Sequence, residues 1–289
     1  MTPDVPNPPA GNALDRFIRQ FNYTAYVVAI LFLYAVAATA LGAALAPALF
    51  VFQELGPVGD TWPALWRLAW LGTSLGLCFF VFGFALLLVV PVYNFPLPTR
   101  VKPFKGGYFT IAAVPFYLHN GLFYLVRYTV LPFFTLTPFG LLFLKAMGMK
   151  IGRRVFVNTE IISDPRLITL EDHAVLGGSV RIFAHWGGGG HLVIAPVKIC
   201  RGATIGLAAT IMGNVEVGAG AVVLPHSVVL PGSRVGAGET WGGVPARPIG
   251  NDERERFKRL VQGIEEGEEP WGEEALDLAH RQSSAVSQA

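Results

Sequence analysis

The C-terminal half of the sequence repeats at intervals of six residues. Isoleucine or valine recurs at seven successive positions: Ile199, Ile205, Ile211, Val217, Val223, Val229 and Val235. Such repeats are typical of a parallel β-helix, in which each hexapeptide supplies one short strand and one corner of a triangular coil. Neither a heptad nor an alternating sheet has this period. We therefore predict that three hexapeptides form each turn, with the repeated side chains stacked inside.

The residues around each repeat position fit the same coil. Small or β-branched residues stand two positions earlier and allow a tight turn: Val197, Ala203, Ala209, Val215, Ala221, Ser227 and Ser233. Gly206, Gly218 and Gly236 follow their repeats, where close backbone approach or unusual dihedral angles favour glycine. Upstream, Leu170, Leu176 and Ile182 keep the spacing in a shifted phase, which Ile151 and Val157 begin. The segment between Ile182 and Ile199 must then loop out of the coil.

The N-terminal half has a different character. The chain of 289 residues is 52% hydrophobic and 15% charged, whereas about a quarter of the residues in a soluble protein are charged. No charged residue lies between Arg19 and Glu54 or between Arg67 and Arg100. Each interval holds the roughly 20 apolar residues that a membrane-spanning helix needs. We predict two transmembrane helices, about 25–52 and 65–91.

The charges around these segments predict their orientation. The connection between them carries Glu54 and Asp60 but no lysine or arginine, whereas basic residues flank the outer ends: Arg16, Arg19, Arg100, Lys102 and Lys105. Basic flanks favour the cytoplasmic side. We expect a multi-pass protein of the inner (cytoplasmic) membrane with both ends, and hence the β-helix, in the cytoplasm.

The region 107–149 is apolar and aromatic but contains Pro115, Pro132 and Pro138. A single crossing would place the β-helix outside, so we predict two short helices, re-entrant or lying along the cytoplasmic leaflet. Ionisable residues at membrane depth are candidates for function. His119 and Arg127 are therefore candidates for binding the polar end of a lipid-borne substrate; snorkelling to the headgroups is the alternative for Arg127.

Four segments, in order, carry a resemblance to a known family: IGRRVFVNTE from Ile151, IFAHW from Ile182, PVKICRGATIG from Pro196 and GGVPARPIG from Gly242. They resemble the hexapeptide-repeat acyltransferases, in particular the maltose and galactoside O-acetyltransferase branch, over about a third of the chain. The resemblance implies a left-handed β-helix, a homotrimer and an acyl-CoA donor. The membrane half followed by KAMGMKIGRR also resembles, more loosely, the membrane-anchored C-terminal modules of poly-lysine synthetase-type peptide synthetases.

The family motifs imply roles for particular residues. His185 matches the catalytic base, a task that suits histidine at neutral pH. Asn158 matches an asparagine that contacts the acceptor or the tetrahedral intermediate, and Asp164 falls within one residue of an acceptor-binding aspartate. Glu160 and Trp186 are their neighbours and further candidates for substrate binding. The structural alternatives are a surface loop for His185, a coil corner for Asn158 and a turn before Pro165 for Asp164.

The donor site is implied by the same resemblance. Thr204 stands where the family commonly has an indole that lines the coenzyme A groove, and Ala221 is expected beside that groove. Arg247 is a candidate for the phosphates of coenzyme A, or is simply a solvated arginine. Cys200 replaces the glycine of the family's PVxIG, and the loop after His185 is shorter and rich in glycine. The run Gly187–Gly190 can be a phosphate cradle or a flexible loop.

No metal site is expected. The γ-class carbonic anhydrases also use a β-helix and bind a metal ion with three histidines, but His173, His185, His191 and His226 do not have their spacing. Cys78 and Cys200 provide neither a disulfide framework nor a CxxC site, so we interpret both as reduced packing residues.

These observations predict a membrane α-helical part followed by an all-β left-handed parallel β-helix. The segments are 1–24, cytoplasmic; 25–106, two transmembrane helices with flanks; 107–149; 150–250, the acyltransferase domain; and 251–289, a charged helix with a disordered acidic tail. We expect transfer of an acyl group from acyl-CoA to a hydroxyl or amine of a membrane lipid or lipid-linked acceptor, and no nucleic-acid partner. The alternatives are amide-bond formation from a carrier-tethered aminoacyl thioester and a non-catalytic trimeric membrane scaffold.

Overall fold

The structure, a computed structural model, describes residues 22–108 and 110–250, together with 255 and 259. The predicted N-terminal segment and the predicted charged helix and acidic tail therefore lie almost entirely outside the described residues. The chain divides into a large compact unit, Met1–Arg247, and a C-terminal unit, Pro248–Ala289. The elements below belong to the first of these units, apart from the last residue of the final strand.

Two long helices form an N-terminal hairpin. Helix α1 spans Asn22–Leu55 and helix α2 spans Ala64–Val92, with a 3₁₀ turn at Gly56–Gly59 between them. The Trp70 indole donates a hydrogen bond of 2.7 Å to the Leu55 carbonyl oxygen and ties the turn to α2. Both helices lie where the uncharged intervals predicted them.

The hairpin exposes much of its apolar surface. Leu31, Leu49, Leu68 and Leu88 are among its many exposed large side chains. By length and composition both helices are suited to cross a membrane, and the most apolar part of each is largely unburied. A core helix of a soluble protein would instead be mostly covered.

Three short helices follow instead of the two that were predicted. They are α3, Val114–Arg127; α4, Leu131–Phe134; and α5, Pro138–Ala146. Each has a proline in its first turn, where the missing N–H would have no partner within the helix. The three prolines thus begin helices, which is why the sequence looked interrupted.

Helix α3 packs against both the hairpin and the β-helix. An added Cβ at Gly121 would lie 2.7 Å from Leu33, so glycine permits the close approach to α1. Phe123 stacks on Phe143 of α5 with ring centroids 5.7 Å apart. One continuous buried cluster runs from Leu86 on α2 through these rings to Ile162 and the interior of the β-helix. The two halves of the large unit therefore share one hydrophobic core.

The described residues form eighteen strands. They are β1 Phe104–Gly107, β2 Lys150–Ile151, β3 Phe156–Val157, β4 Ile162–Ser163, β5 Ile168–Leu170, β6 Val175–Leu176, β7 Arg181–Phe183, β8 His185–Gly188, β9 His191–Ile194, β10 Val197–Ile199, β11 Thr204–Ile205, β12 Thr210–Ile211, β13 Glu216–Val217, β14 Val222–Val223, β15 Val228–Val229, β16 Arg234–Val235, β17 Thr240–Gly243 and β18 Ala246–Pro248.

Most of these strands form the three faces of a β-helix. The sheets have strand orders β16-β13-β10-β5-β2, β18-β17-β14-β11-β6-β3 and β15-β12-β7-β4. Lys198 pairs in parallel with Glu216, Thr204 with Val222 and Thr210 with Val228, each pair 18 residues apart. Three hexapeptides per turn are thereby confirmed. Ile151 lies opposite Leu170 and Val157 opposite Leu176, so the shifted upstream repeats belong to the same coil.

The turns of the coil lie elsewhere than predicted. Positive φ angles occur three residues after each repeat position, at Gly202, Ala208, Asn214, Gly220, His226, Gly232 and Gly238. Gly206, Gly218 and Gly236 serve for close approach: an added Cβ at Gly206 or Gly218 would lie 2.6 Å from a backbone nitrogen of the next coil. The small residues two positions before the repeats are buried, except Ser233, and so fill the interior.

The segment between Ile182 and Ile199 loops out of the coil, as predicted. It forms a hairpin of β8 and β9, whose turn residues Gly189 and Gly190 have φ angles of +55° and +79°. Strand β1 pairs antiparallel with β9 and makes a separate three-stranded sheet. Strand β1, which was not predicted, brings the chain just after α2 to this hairpin.

Candidate functional site

His185 stands where the chain leaves the coil. Strands β4 and β7 are neighbours in the four-stranded face, and Asp164 and His185 each follow the end of one of them. Adjacent parallel strands bring these two positions to the same edge. The Asp164 Oδ2 atom accepts a hydrogen bond from His185 Nδ1 at 2.5 Å. The imidazole side chain is 23% exposed, whereas the carboxylate is fully buried.

Asp164 is fixed by its backbone as well as by its side chain. It lies in the left-handed region with φ +58° immediately before Pro165, so the turn predicted for this residue is present. Aspartate tolerates this conformation better than most residues. The conformation directs the carboxylate into the protein, where both oxygens are used.

Asn120 on α3 provides the second partner of Asp164. Its Nδ2 donates to Asp164 Oδ1 at 2.6 Å, and its Oδ1 accepts from the Asp164 backbone N–H at 3.1 Å. Sequence reasoning missed Asn120, although it is one of the few polar residues in an apolar helix. The result is a linear array, Asn120–Asp164–His185, that connects α3 to the imidazole.

Two aromatic rings flank the imidazole. The Phe116 ring lies edge-on at 4.9 Å between centroids, and the Phe183 ring lies at 6.0 Å. Phe116 belongs to α3 and Phe183 to β7, so the ring of His185 is held between the helical part and the coil. With Nδ1 engaged by Asp164, Nε2 is the ring nitrogen that can accept a proton.

His119 lies next to this array but takes no part in it. Its side chain is 1% exposed, and neither ring nitrogen has a hydrogen-bond partner among the described residues. Burial lowers the pKa of His119 to about 4; the nearby Asp164 charge opposes this shift and Arg166 adds to it. The ring is therefore neutral at pH 7.

Arg127 is held by protein atoms. It is 8% exposed, it donates through one terminal nitrogen to the Ile162 carbonyl oxygen at 3.3 Å, and its guanidinium carbon lies 5.2 and 5.0 Å from the ring centroids of Tyr124 and Tyr128. A snorkelling side chain would extend to an open surface, so that interpretation of Arg127 is wrong. Both ionisable residues of α3 thus face the interior.

The other predicted acceptor residues lie apart from this array. Asn158 is half-buried, follows β3 and has its side-chain amide near Gly178, while its backbone N–H donates to the Leu176 carbonyl oxygen at 3.1 Å. Glu160 is half-buried, and its carbonyl accepts from Ile162. Trp186 lies on β8 with its ring against Gly213. Asn158 and His185 consequently stand at opposite ends of the four-stranded face.

The predicted donor residues fall into two groups. Thr204 is half-buried on β11, and Arg247 is exposed on β18, where it donates to the Ala246 carbonyl oxygen. Ala221 is fully buried, and its carbonyl accepts from the Thr204 backbone N–H. The placement of Ala221 beside a groove is therefore wrong, because this position of the repeat points into the coil.

The remaining histidines and cysteines are dispersed. Among residues 22–108 and 110–250, no three His, Cys, Asp or Glu side chains come together as a metal-ion site would require. Cys78 and Cys200 are both free and buried. Burial raises the pKa of the Cys200 thiol, which lies 3.7 Å from a Glu216 carboxylate oxygen. Both cysteines fit the predicted packing role.

Comparison with known proteins finds two kinds of similar protein. No protein-family model matches it. Delta-poly-L-ornithine synthetase of Acinetobacter baumannii (strain AB307-0294) is 32% identical over 110 residues, which cover 38% of this chain and 8% of that protein. The chain thus spans less than a tenth of the length of this curated relative.

Similar solved structures include three acetyltransferases. A hexapeptide-repeat acetyltransferase of Vibrio cholerae O1 biovar eltor, complexed with acetyl coenzyme A, is 27% identical, with 36% of this chain and 60% of that chain covered and a TM-score of 0.33. Galactoside acetyltransferase in complex with coenzyme A is 18% identical, with 45% of this chain and 82% of that chain covered and a TM-score of 0.36. Serine acetyltransferase from Brucella abortus strain S19 is 19% identical, with 74% of this chain and 68% of that chain covered and a TM-score of 0.34. The predicted resemblance to a poly-amino-acid synthetase is confirmed over these 110 residues, and hexapeptide-repeat and other acetyltransferases are among the similar solved structures.

Proposed function

We propose that this protein is a membrane-anchored acyltransferase that moves an acyl group from acyl-CoA to a hydroxyl or amine of a membrane-associated acceptor. The observation that carries the proposal is the array Asn120–Asp164–His185, in which a buried carboxylate holds a partly exposed imidazole. A neutral alcohol is a poor nucleophile, and its proton must leave as the new bond forms. His185 Nε2 takes that proton in our proposal.

Asp164 has a different role from the acceptor contact expected from the motif. Its carboxylate is fully buried and both oxygens are already hydrogen-bonded, so little of it is open to an acceptor. A buried carboxylate on the Nδ1 side fixes the tautomer and orientation of a catalytic imidazole and stabilises the imidazolium that forms. We assign this positioning role to Asp164, and Asn120 supports it by holding the carboxylate at two points.

The second end of the site comes from a neighbouring copy in our proposal. Asn158 and His185 stand at opposite ends of one face, so a single copy does not bring them together. In a homotrimer of left-handed β-helices, one edge of a sheet face in one copy meets the opposite edge of a face in the next copy. The Asn158 amide would then donate to the developing oxyanion, with Glu160 and Trp186 beside the acceptor, and Thr204 and Arg247 along the acyl-CoA groove.

The exposed apolar hairpin supports membrane anchoring. Burying such a surface in lipid avoids the cost of exposing it to water. The acidic connection and the basic outer flanks favour the cytoplasm for the β-helix, where acyl-CoA would be the donor. An acceptor confined to the membrane then meets the catalyst at the same surface, which raises its effective concentration.

The similarity to a poly-ornithine synthetase favours a second candidate, amide-bond formation from a carrier-tethered aminoacyl thioester. The same His185 would then accept a proton from an attacking amine. The two candidates differ in the thioester that is consumed, so donor competition separates them.

The test is thioester consumption by the protein in nanodiscs. Acetyl-CoA and an aminoacyl carrier thioester are offered separately, with phosphatidylethanolamine as amine acceptor and diacylglycerol as hydroxyl acceptor. We expect thiol release and an acylated lipid with acetyl-CoA. His185→Ala should lower kcat by roughly 10²–10⁴-fold, the usual contribution of a general base, and Asp164→Asn and Asn120→Ala should lower kcat progressively less with KM little changed.

The exposed hairpin histidine provides a matched control. His191→Ala removes an imidazole from the same hairpin without touching Asp164, and it should keep full activity. A folded His185→Ala variant with normal turnover would exclude His185 as the base. Turnover of the carrier thioester alone would favour the second candidate. If neither thioester were turned over, the non-catalytic membrane scaffold would be favoured instead.

A further inference from the structure

A cavity of about 720 Å³ lies beside the imidazole, on the helical side of the site. Its walls come from the chain just after α2, the start of α3, strand β1 and strand β9. The residues that matter below are Asn94, Arg100, Lys102, Ala112, Phe116 and Ile194. Nothing in the sequence motifs pointed to this cavity.

One aromatic ring contacts both the cavity and the imidazole. Phe116 lines it and also packs edge-on against His185 at 4.9 Å. Ile194 lines it from β9 and is directly opposite His185 in the hairpin. A molecule in this cavity would therefore contact Phe116, whose ring also contacts the proposed base.

The lining combines apolar walls with positive charge. Prolines and aromatic side chains make up most of the walls, whereas the exposed Arg100 and Lys102 supply two cations. Among the residues that the structure describes, the cavity lining includes no aspartate or glutamate. Such a site attracts an anion that carries an apolar chain.

A buried polar atom in the lining is left without a partner. Asn94 Oδ1 is buried and accepts no hydrogen bond among the described residues, while Asn94 Nδ2 donates to Met147 Sδ at 3.3 Å. Buried acceptors are nearly always satisfied. Asn94 therefore adds an unsatisfied polar acceptor to the residues that line the cavity.

The cavity also lies at the level expected for lipid headgroups. Asn94 comes two residues after Val92, the end of the second helix long enough to span a membrane. Arg100 and Lys102 are the first basic residues beyond that helix. Basic residues at this position are the ones that meet anionic headgroups.

From these observations we infer that the cavity binds the headgroup of a phosphate-bearing membrane lipid and presents it to His185. Arg100 and Lys102 bind the phosphate, Asn94 accepts from a headgroup hydroxyl or amine, and the proline and aromatic walls contact the upper part of the lipid chains. This inference rests on the proposed acyltransferase function for its purpose, because it identifies the class of acceptor.

The experiment measures lipid binding separately from turnover. Purified protein in detergent is titrated with fluorescently labelled phosphatidylglycerol, with a labelled polyprenyl phosphate and with labelled phosphatidylcholine as zwitterionic comparison. We expect the two anionic lipids to bind more tightly than phosphatidylcholine, and the tighter of the two identifies the source of the phosphate. The double variant R100Q/K102Q should weaken anionic lipid binding about 30-fold, because each basic residue near a headgroup contributes about 1 kcal/mol.

Two matched variants test the cavity itself. K145Q/K150Q removes two exposed cations outside the cavity and should leave lipid binding unchanged. Ala112→Phe fills the cavity without a change of charge and should weaken binding, whereas Ala146→Phe on the exposed side of α5 should not. Equal losses in the two double variants, or normal binding by Ala112→Phe, would overturn the inference.

His185→Ala distinguishes this inference from the proposed function. It should abolish transfer and bind lipid normally. Lipid binding at the cavity without any thioester turnover in the wild type would support the cavity and contradict the acyltransferase. Transfer to a soluble acceptor, with no binding of either anionic lipid, would support the acyltransferase and contradict the cavity as a lipid-binding site.

Discussion

At the scale of single residues, His119 links stability to pH. It is buried without a hydrogen-bond partner, and it lies on α3, outside the two candidate membrane spans. Its pKa falls from an ordinary 6.5 to about 4, chiefly because burial disfavours the charged ring. The unfolded chain therefore binds a proton between these values while the folded protein does not. Stability contributed by the neutral ring is present above pH 6.5 and is lost as the pH falls toward 4.

We predict that His119→Leu reduces this loss. At pH 5 the difference between the two pKa values corresponds to roughly 2 kcal/mol of destabilisation in the wild type. The melting temperature of the variant in detergent should accordingly fall less between pH 7.5 and pH 5. His226→Asn, a change at an exposed histidine, should follow the wild type. An equal acid-induced fall in His119→Leu would contradict this account.

The residues of the array show how far sequence alone can reach. His185 and the turn at Asp164 were predictable, because both depend on local sequence and a known motif order. Asn120 was not, because it meets Asp164 across 44 residues and its helix has no repeat that fixes the facing side. The contact depends on how α3 packs against the coil, and local patterns do not contain that information.

At the scale of elements, the six-residue period sets both the interior and the turns. The repeat positions and, apart from Ser233, the residues two before them are buried, while the residues three after them take positive φ angles. Glycine occupies four of the seven turn positions from Gly202 to Gly238, and Ala208, Asn214 and His226 occupy the others. A non-glycine residue in this conformation costs roughly 1 kcal/mol or more. The turn positions therefore tune the stability of the coil.

We predict opposite effects of two exchanges at these turns. Gly202→Ala should lower the free energy of unfolding by about 1 kcal/mol, because φ is +67° although nothing lies within 4 Å of an added Cβ. Ala208→Gly, at φ +55°, should raise it by up to about 1 kcal/mol. Gly188→Ala is the control, since its Cβ site is also open but its φ is not positive. Thermal unfolding measures the stability of all three variants. A Gly202→Ala variant more stable than the wild type would contradict the role given to the positive φ angle at this turn.

The period also explains which elements were missed. It fixes the positions of the coil strands and leaves the segment between β7 and β10 outside the coil. The position of the hairpin was therefore predictable. Strand β1 has no repeat and only four residues. It exists because β9 offers an open edge, and pairing across nearly 90 residues leaves no local pattern in the sequence.

At the scale of the whole molecule, the apolar hairpin and the coil were both predictable from composition and period. The packing of the hairpin against the coil was not predictable. The buried cluster that runs from α2 through α3 into the coil depends on close contacts such as Gly121 against Leu33. Because α3 also carries Asn120 and Phe116, it contacts both the apolar hairpin and the array that holds His185. In our proposal a neighbouring copy supplies Asn158 to the site of His185.

The last prediction tests whether neighbouring copies share each site. His185→Ala and Asn158→Ala should each be inactive alone if both residues are required. When the two variants are expressed together in equal amounts, a ring of three has random neighbours, and a site needs His185 from one copy and Asn158 from the next. About one quarter of the sites then contain both intact residues, so roughly a quarter of wild-type turnover should return. If each copy used its own pair, mixing would restore nothing, because every copy in the mixture lacks one of the two residues. A mixture that stays inactive, while chemical cross-linking shows that mixed oligomers have formed, would therefore exclude the shared site.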